Sequence, residues 1–386
     1  MNEVRFGLIG LGNIGRLHAG NLRSGKIPRA RLTAVADLSS SSLAAYGDIE
    51  TYTEPSALLK SKAIDAVLIA TPHFQHTSLG IEALGRGLHV MVEKPISVHK
   101  ADAERLLAAH KSKKQVFAAM FNNRLDPHFL KIKQLIDSGE LGEIRRTQWV
   151  ITDWFRPEIY YASGGWRGTW KGEGGGLLVN QCPHNLDLFQ WLCGMPRRVQ
   201  AFCHFGKYHD IEVEDEVTAY FEYPNGATGV FVSTTGEAPG TCRLEIAGER
   251  GKIVFEGGKI TFTRNVTPTS EFSRTTKNVF GKPDVWNVEI PAEGTGPQHV
   301  GILSNFVDAV LDGATLVSPA AEGIHSVELA NAMLHSSLTG KMLDLPLDGK
   351  AFERQIKKLM AGSKTKKTVV QVGTGQVDLS KSFSGV

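Results

Sequence analysis

The first 120 residues alternate between short apolar runs and longer stretches of mixed polarity. Apolar runs of four to six residues predict buried parallel strands at 4–9, 31–36, 66–70, 89–92 and 116–120. Between them, helical patterns fall at 13–22, 77–86 and 101–111. Strands that alternate with helices at this spacing are typical of βαβ units, so we expect a parallel sheet.

The pattern changes after about residue 123. One more helix is predicted at 128–137. Apolar and polar residues then alternate at 145–152, 197–205, 216–222, 228–234, 243–247, 252–255 and 259–263, with turn signals at 223–226 and 256–258. This alternation indicates an open, mostly antiparallel sheet. Two helical patterns, at 299–311 and 322–341, follow it.

A glycine-rich turn joins the first predicted strand to the first predicted helix. Gly10-Leu-Gly12-Asn13-Ile14-Gly15 has the GxGxxG spacing of a dinucleotide-binding loop. Gly10 allows the tight turn, Gly12 lets the backbone approach a pyrophosphate, and Gly15 lets the helix pack close to the sheet. Asp37 ends the second predicted strand, where a carboxylate accepts hydrogen bonds from the ribose hydroxyls of NAD and repels the 2′-phosphate of NADP. We therefore predict NAD as cofactor, in preference to NADP.

The predicted fold class is α/β, with an N-terminal Rossmann domain and a C-terminal α/β domain built on the open sheet. We predict the boundaries 1–122 for the dinucleotide-binding domain and 123–362 for a domain that binds substrate and forms oligomers. Residues 363–386 form a polar C-terminal arm or tail, with one strand-like piece at 368–372. Packing on another subunit and a loose tail both remain open for this segment.

Composition and charge exclude several classes of protein. With 41% hydrophobic and 22% charged residues, the chain has the balance of a soluble globular protein. No apolar run is long enough to span a bilayer, no signal peptide is evident, and four dispersed cysteines do not make a disulfide scaffold. The net charge is only +3, and its basic part is confined to residues 350–367. We therefore expect a cytoplasmic protein that binds neither nucleic acid nor membrane.

Two further motifs carry candidate chemistry. Glu93-Lys94-Pro95 follows a predicted parallel strand, at the sheet edge where ligands bind, and a lysine there can stabilise an alkoxide. Asn180 and His184 are four residues apart in a segment that becomes helical, so they share a face if the helix begins near Asn180. A histidine can accept the proton of an alcohol at neutral pH. A catalytic set of Lys94, His184 and Asn180 is predicted.

Other chemistries fit the sequence less well. His73 and His76 have an HxxH spacing, but no further ligand completes a zinc site, so no metal is expected. Cys182 is interpreted as a buried, unreactive thiol. A serine hydrolase is excluded because the chain has no GxSxG motif.

The motifs together resemble the Gfo/Idh/MocA oxidoreductases, a family that includes glucose–fructose oxidoreductase and inositol dehydrogenase. The resemblance covers residues 4–345 and rests on the GxGxxG loop and on the segments 70–76, 93–95, 123–127, 140–144 and 174–187. It implies a Rossmann domain followed by an α/β domain with a large open sheet. It also implies use of NAD or NADP to oxidise or reduce sugars, inositols and related polyols.

The resemblance assigns roles residue by residue. Lys94 orients the substrate hydroxyl and aids proton transfer, and His184 is the general acid/base. Asn180 departs from the family, which usually has Asp there; an amide hydrogen-bonds a hydroxyl but relays no proton. The implied cofactor contacts beyond the glycine loop and Asp37 are Thr71, Pro72, His76, Glu93, Lys94 and Asn122. The implied substrate contacts are Lys94, Asp153, Arg156, Tyr160, Tyr161, Trp166, Arg167, Asn180 and His184.

The predicted activity is that of an NAD-dependent dehydrogenase for a sugar, glycoside or polyol hydroxyl. The segments 166–170 and 180–184 are most similar to dehydrogenases that act on glucosides or anhydrosugars. Two alternatives share these motifs: a redox-assisted glycoside-cleaving enzyme that recycles bound NAD, and a non-catalytic NAD-binding regulator. The resemblance also implies a homodimer or homotetramer that assembles through the C-terminal sheet.

Overall fold

The computed structural model describes residues 2–363 and residue 370. Its first half is a six-stranded parallel sheet with strand order β3-β2-β1-β4-β5-β6. The strands are β1 Val4–Ile9, β2 Ala30–Ala36, β3 Glu50–Tyr52, β4 Ala66–Ile69, β5 His89–Val92 and β6 Phe117–Ala119. The order reverses between β1 and β4, and ligands of such sheets bind at this switch point, outside the carboxyl ends of the strands.

Helices cover both faces of this sheet, which explains why its strands are almost continuously apolar. They are α1 Asn13–Arg23, α2 Ser40–Leu43, α3 Pro55–Leu59, α4 Phe74–Gly85 and α5 Lys100–Ala109. Phe6 and Leu8 of β1 belong to the core on one face, whereas Ile9 and Ala34 belong to the core on the other. The Rossmann topology expected from the sequence is confirmed.

The second half is built on a nine-stranded sheet with order β14-β13-β12-β11-β7-β10-β9-β8-β15. The strands are β7 Ile144–Ile151, β8 Arg198–Phe205, β9 Glu214–Glu222, β10 Thr228–Thr234, β11 Cys242–Gly248, β12 Gly251–Glu256, β13 Lys259–Asn265, β14 Val285–Ile290 and β15 Leu343–Asp344. Only the pair β7–β10 is parallel among these described strands, so the sheet is mostly antiparallel, as predicted.

Several helices of the second half lie on one face of the large sheet. The helices of this half are α6 Pro127–Asp137, α7 Glu158–Ala162, α8 Leu177–Asn180, α9 Pro183–Cys193, α10 Thr269–Thr275, α11 Gln298–Asp312, α12 Gly323–Thr339 and α13 Gly349–Gly362. Short 3-10 turns occur in the first half at Ala44–Tyr46 and later at Asn122–Leu125 and Ala320–Glu322. Trp149 of β7 is fully buried with Phe129 of α6 and Phe189 of α9. The opposite face is half-exposed along the strands, since alternate residues point away from this core.

The last third of the chain returns to the first sheet. Residues Ile302, Leu303, Phe306 and Val307 of α11 join the core beneath β1, where the rings of Phe6 and Phe306 are 5.9 Å apart. Helix α12 contributes Val327 to the Rossmann core and its later residues to the core of the large sheet. The domain boundary between residues 122 and 123 therefore remains a prediction. Helices that follow it in the chain, α11 and α12, pack against the first sheet as well.

Most predicted elements differ from the structure by one to three residues at their ends. The sequence patterns missed the strands β3, β14 and β15 and the helices α2, α3, α7, α8, α10 and α13. The predicted strand at 368–372 and the tail lie outside the described residues, apart from residues 363 and 370. Within the part of the chain that is described, no helix combines the length and apolarity that a bilayer crossing requires.

Candidate active site

The glycine loop has the geometry of a dinucleotide cradle. Gly10 has φ +94°, and a Cβ on Gly15 would lie 1.9 Å from the Gly10 carbonyl oxygen, so both positions require glycine. A Cβ on Gly12 would meet no atom within 4 Å. Open space over Gly12, at the N-terminus of α1, is what a pyrophosphate needs for close approach. Asn13 and Ile14 form the first turn of α1.

Asp37 is fixed against this loop. Its Oδ2 accepts a hydrogen bond from the backbone N–H of Leu11 (2.7 Å), and its Oδ1 accepts one from Ser39 (2.9 Å). The carboxylate is therefore fixed at the end of β2, beside the glycine turn. This is the arrangement that the predicted preference for NAD requires.

Glu93 is buried beneath the loop that carries Lys94. Its Oε1 lies 2.6 Å from Nε2 of His18, and its Oε2 accepts the backbone N–H of Lys94 (3.1 Å). Burial raises the pKa of Glu93, but the hydrogen bond and charge of His18 outweigh it and lower this pKa to about 2. The structure thus gives Glu93 two protein partners, and its geometry is that of a residue that positions Lys94.

Lys94 connects the two halves of the molecule. Its Nζ donates a hydrogen bond to the backbone carbonyl of Asn180, at 3.1 Å. Burial lowers the pKa of Lys94, partly offset by the charge of Glu93. A lysine whose pKa is lowered exchanges its proton more readily near neutral pH.

His184 lies in the first turn of α9 and is buried. Burial, with a contribution from the charge of Lys94, holds its pKa well below 6.5. Its Nδ1 has no hydrogen-bond partner among the described residues, and its ring meets Phe121 edge-on at 6.0 Å. His184 is therefore neutral at pH 7 and has a ring nitrogen available to accept a proton.

Asn180 and His184 are carried by two separate helices. The predicted single helix is interrupted at residues 181–182, between α8 and α9, next to Pro183. Glu214 holds the first turn of α8, because its carboxylate accepts the backbone N–H groups of Gly176 and Leu178, both at 2.9 Å. Burial raises the pKa of Glu214 to about 7.

A polar network surrounds the side chain of Asn180. Its Nδ2 donates to the hydroxyl of Tyr160 (3.2 Å) and to Oε1 of Glu173. The Tyr160 hydroxyl also accepts from Nη1 of Arg167 (2.7 Å) and from Nε2 of Gln181 (2.9 Å). The predicted substrate residues Tyr160, Arg167 and Asn180 are thus in direct contact.

Aromatic rings and guanidinium groups form the outer wall of this region. The Arg167 guanidinium lies 4.5 Å from the ring centroids of both Tyr160 and Trp166. Arg156 lies 5.3 Å from the Tyr160 ring and 5.2 Å from that of Trp154. Trp166 also meets His73 of the Rossmann half edge-on at 5.4 Å. Such surfaces suit the apolar faces and hydroxyl edges of a sugar ring.

Three other predicted site residues, His76, Tyr161 and Asp153, each have a different environment. His76 has both ring nitrogens near carbonyl oxygens, of Pro95 (2.7 Å) and Thr71 (2.8 Å), so it ties the segment around Pro72 to the Lys94 loop. Tyr161 bonds the Thr235 hydroxyl at 2.8 Å. Burial raises the pKa of Asp153 to about 6.

Several buried polar atoms without a hydrogen-bond partner lie in this region. Among the described residues they include Thr71 Oγ1, His73 Nδ1, Asn122 Oδ1, Asp153 Oδ1 and His184 Nδ1. The amide nitrogen of Asn122, in contrast, donates to Asn123 (2.9 Å) and to Gln298. Buried polar groups normally have partners, so this set indicates a site built for a polar ligand. Together with the open space over Gly12, it fits a nicotinamide dinucleotide and its substrate.

Family models match both halves of the chain. Residues 4–121 match an oxidoreductase family with an NAD-binding Rossmann fold, and residues 129–254 match a Gfo/Idh/MocA C-terminal domain. The chain belongs to the Gfo/Idh/MocA oxidoreductase family.

Two relatives and one solved structure are similar to this chain over most of its length. An inositol 2-dehydrogenase from Rhizobium meliloti is 28% identical over 347 residues, covering 86% of this chain and 96% of that protein. A levoglucosan dehydrogenase from Pseudarthrobacter phenanthrenivorans is 24% identical over 395 residues, covering 90% and 99%. The structure of the WlbA dehydrogenase from Bordetella pertussis, in complex with NADH and UDP-GlcNAcA, has a TM-score of 0.76 at 26% identity and covers 90% and 100%.

This Gfo/Idh/MocA protein is thus an NAD-dependent oxidoreductase. The open space over Gly12 and the fixed carboxylate of Asp37 fit a bound dinucleotide. Among the described residues, no group of three or more His, Cys, Asp or Glu side chains is arranged to bind a metal ion. Burial raises the pKa of Cys182 to about 12, which disfavours its thiolate.

Sequence reasoning missed several residues of the site. His18 falls in the helix after the glycine loop, and its distance from Glu93 along the chain hides their contact. His299 stacks edge-on to His18 at 5.4 Å and belongs to α11, which no pattern connects to the Rossmann half. Glu173 immediately precedes the glycines 174–176, and an acidic residue beside a glycine run was the only signal that the sequence offered.

Proposed function

We propose that this protein oxidises a ring hydroxyl of a sugar, glycoside or cyclic polyol to a carbonyl. The relatives named above support this class of substrate, since two are named for an inositol and an anhydrosugar. The side chains around Asn180 support it independently. Tyr160, Trp166 and Arg167 lie together in a wall of aromatic rings and planar donors, which suits a ring that carries several hydroxyl groups.

His184 acts as the general base in this proposal. Its low pKa keeps the imidazole neutral at pH 7, so it can accept the proton of the reacting hydroxyl. Lys94 donates a hydrogen bond to the same oxygen and stabilises the negative charge that develops there. Asn180 orients the ring through a neighbouring hydroxyl. NAD, when bound, supplies the hydride acceptor.

One observation carries the proposal: the 3.1 Å hydrogen bond from Lys94 Nζ to the Asn180 carbonyl. Lys94 belongs to the half that binds the dinucleotide, whereas Asn180 and His184 belong to the half with the aromatic wall. Their contact supports a single site in which a cofactor and a sugar ring meet. The buried surroundings exclude water from the reacting atoms and strengthen the polar contacts.

The experiment follows NADH absorbance at 340 nm with purified protein, NAD or NADP, and a panel of inositols, anhydrosugars, glucosides and sugar uronates. We expect growth of NADH with at least one ring polyol, and a preference for NAD. No turnover with any of them would refute the proposal. Release of free sugar from a glucoside without net NADH would instead support redox-assisted cleavage, which the comparisons do not favour.

We also propose that the protein is a homodimer or homotetramer assembled through the open face of the large sheet. Phe202 is 62% exposed and Tyr220 is 37% exposed on adjacent strands of that face. Covering such side chains stabilises an interface. Sedimentation should give an oligomer for the native chain, and a smaller species for Phe202→Asp. A native monomer would refute the proposal.

A cytoplasmic location is proposed as well. All four cysteines are free, as in a reducing compartment. Cell fractionation tests this, and recovery of the protein in an oxidising compartment would contradict it.

A further inference from the structure

Glu173 is a buried carboxylate beside the candidate site. It is 2% exposed, and its two oxygens have different partners. Oε2 accepts the backbone N–H of Gly168 at 2.6 Å, while Oε1 faces Nδ2 of Asn180. Its backbone N–H bonds the Thr169 carbonyl at 2.9 Å, which fixes the residue within its turn. The carboxylate is thus held on one side and directed at Asn180 on the other.

This contact determines which way the Asn180 amide points. An ionised carboxylate accepts hydrogen bonds and donates none, so it must face the nitrogen of the amide. Tyr160 alone would tolerate either orientation, because a phenol both donates and accepts. With Nδ2 bonded to Glu173 and Tyr160, the carbonyl oxygen Oδ1 has no protein partner among the described residues. The amide therefore has an acceptor left for a ligand.

We propose that Glu173 is a positioning residue that orients Asn180 so that its Oδ1 accepts a hydrogen bond from a substrate hydroxyl. The family resemblance leads us to expect Asp at position 180, which would be an acceptor in any orientation. Here Asn supplies the same acceptor only because Glu173 fixes its rotation. A second carboxylate at 180 would be repelled by Glu173, so the two positions are coupled. This inference rests on the proposed function.

The test is a double-mutant cycle of Glu173→Gln and Asn180→Asp, measured as kcat/KM for the polyol that the native enzyme oxidises best. Glu173→Gln brings an N–H group against either Asn180 or Gly168. Asn180 then rotates and presents a donor, and we expect kcat/KM to fall about 10–100-fold. Asn180→Asp creates two touching carboxylates, so its loss should deepen as pH rises and both ionise.

The double variant restores complementarity, because the amide introduced at position 173 can donate to the carboxylate introduced at position 180. We expect its kcat/KM to return to within about threefold of the native value, without the pH dependence of the Asn180→Asp variant. Glu214→Gln is the matched control. Glu214 is also buried and binds two backbone N–H groups of the same turn, but neither of these bonds reaches the Asn180 side chain. Adding Asn180→Asp should not rescue it.

Thermal denaturation of the same variants measures the coupling without any substrate. Additive losses of kcat/KM in folded variants would overturn the positioning role, even if the melting temperatures are coupled. Additive melting temperatures would show that the two side chains do not interact, which also overturns it. A native enzyme that oxidises no polyol would refute the proposed function separately, while the melting temperatures still decide whether the pair is coupled.

Discussion

Alanine at two glycines of the same loop should have opposite consequences. Gly12 has φ −66°, a value open to any residue, and a Cβ there meets no atom within 4 Å. Gly12→Ala should therefore change the free energy of unfolding of the cofactor-free protein by less than about 0.5 kcal/mol. A Cβ on Gly15 would lie 1.9 Å from the Gly10 oxygen, so Gly15→Ala forces the helix off the sheet and should cost about 1–3 kcal/mol or more.

Gly12→Ala, which barely affects stability, should have a large effect on the binding of the cofactor. The methyl group of Gly12→Ala fills the space over the loop, where a pyrophosphate would approach the N–H groups of α1. Loss of one charge-assisted hydrogen bond costs about 1.5–3 kcal/mol, so the Kd for NADH should rise about 10–150-fold. Fluorescence titration with NADH measures this, and thermal melting without cofactor measures stability. Native NADH affinity in Gly12→Ala would refute the assignment of the loop.

Three further predictions concern the base, the cofactor preference and a buried ion pair. His184→Ala should lower kcat about 10²–10⁴-fold, with NADH binding retained in fluorescence titration. Because the pKa of His184 is well below 6.5, kcat/KM of the native enzyme should stay constant as pH falls through 6.5 and should decline only as pH approaches that lower pKa. Asp37→Ala should weaken NADH binding and narrow its advantage over NADPH, and an unchanged ratio would count against the assignment. Asp187→Ala leaves the buried Arg124 without its bidentate partner (2.6 and 2.7 Å), and should lower the free energy of unfolding by about 3–5 kcal/mol in chemical denaturation. Asp344→Ala, at an exposed ion pair, is its control and should stay within about 1 kcal/mol of native.

The sequence was informative wherever a local pattern reflects burial. Strands of the parallel sheet are apolar on both faces, and strands such as β7 and β9 alternate because only one face is covered. Strand β14 was missed because Val285 and Trp286 are exposed at the sheet edge, so no buried alternation marks it. Helix α13 was interpreted as a basic segment, although Phe352 and Ile356 bury one of its faces.

Parts of the candidate site depend on contacts that sequence order does not encode. Lys94, Asn180 and His184 could be named because each belongs to a recognisable motif. Glu173 belongs to none, and its contact with Asn180 depends on how residues 168–176 fold back over α8. The bond between His18 and Glu93 spans 75 positions, and each residue alone suggests no partner.

The return of helix α11 to the first sheet has a consequence for synthesis on the ribosome. Phe6 and Phe306 are in contact although 300 positions separate them. The strands of the nucleotide-binding half emerge first, and α1 covers part of one sheet face, but the part of that face that packs against α11 stays uncovered until most of the chain has been made. Domains generally fold as units as they emerge, and exposed apolar surface in the meantime favours aggregation. The nascent chain must therefore keep that face protected until α11 is translated, and a truncation after residue 122 would leave it exposed permanently.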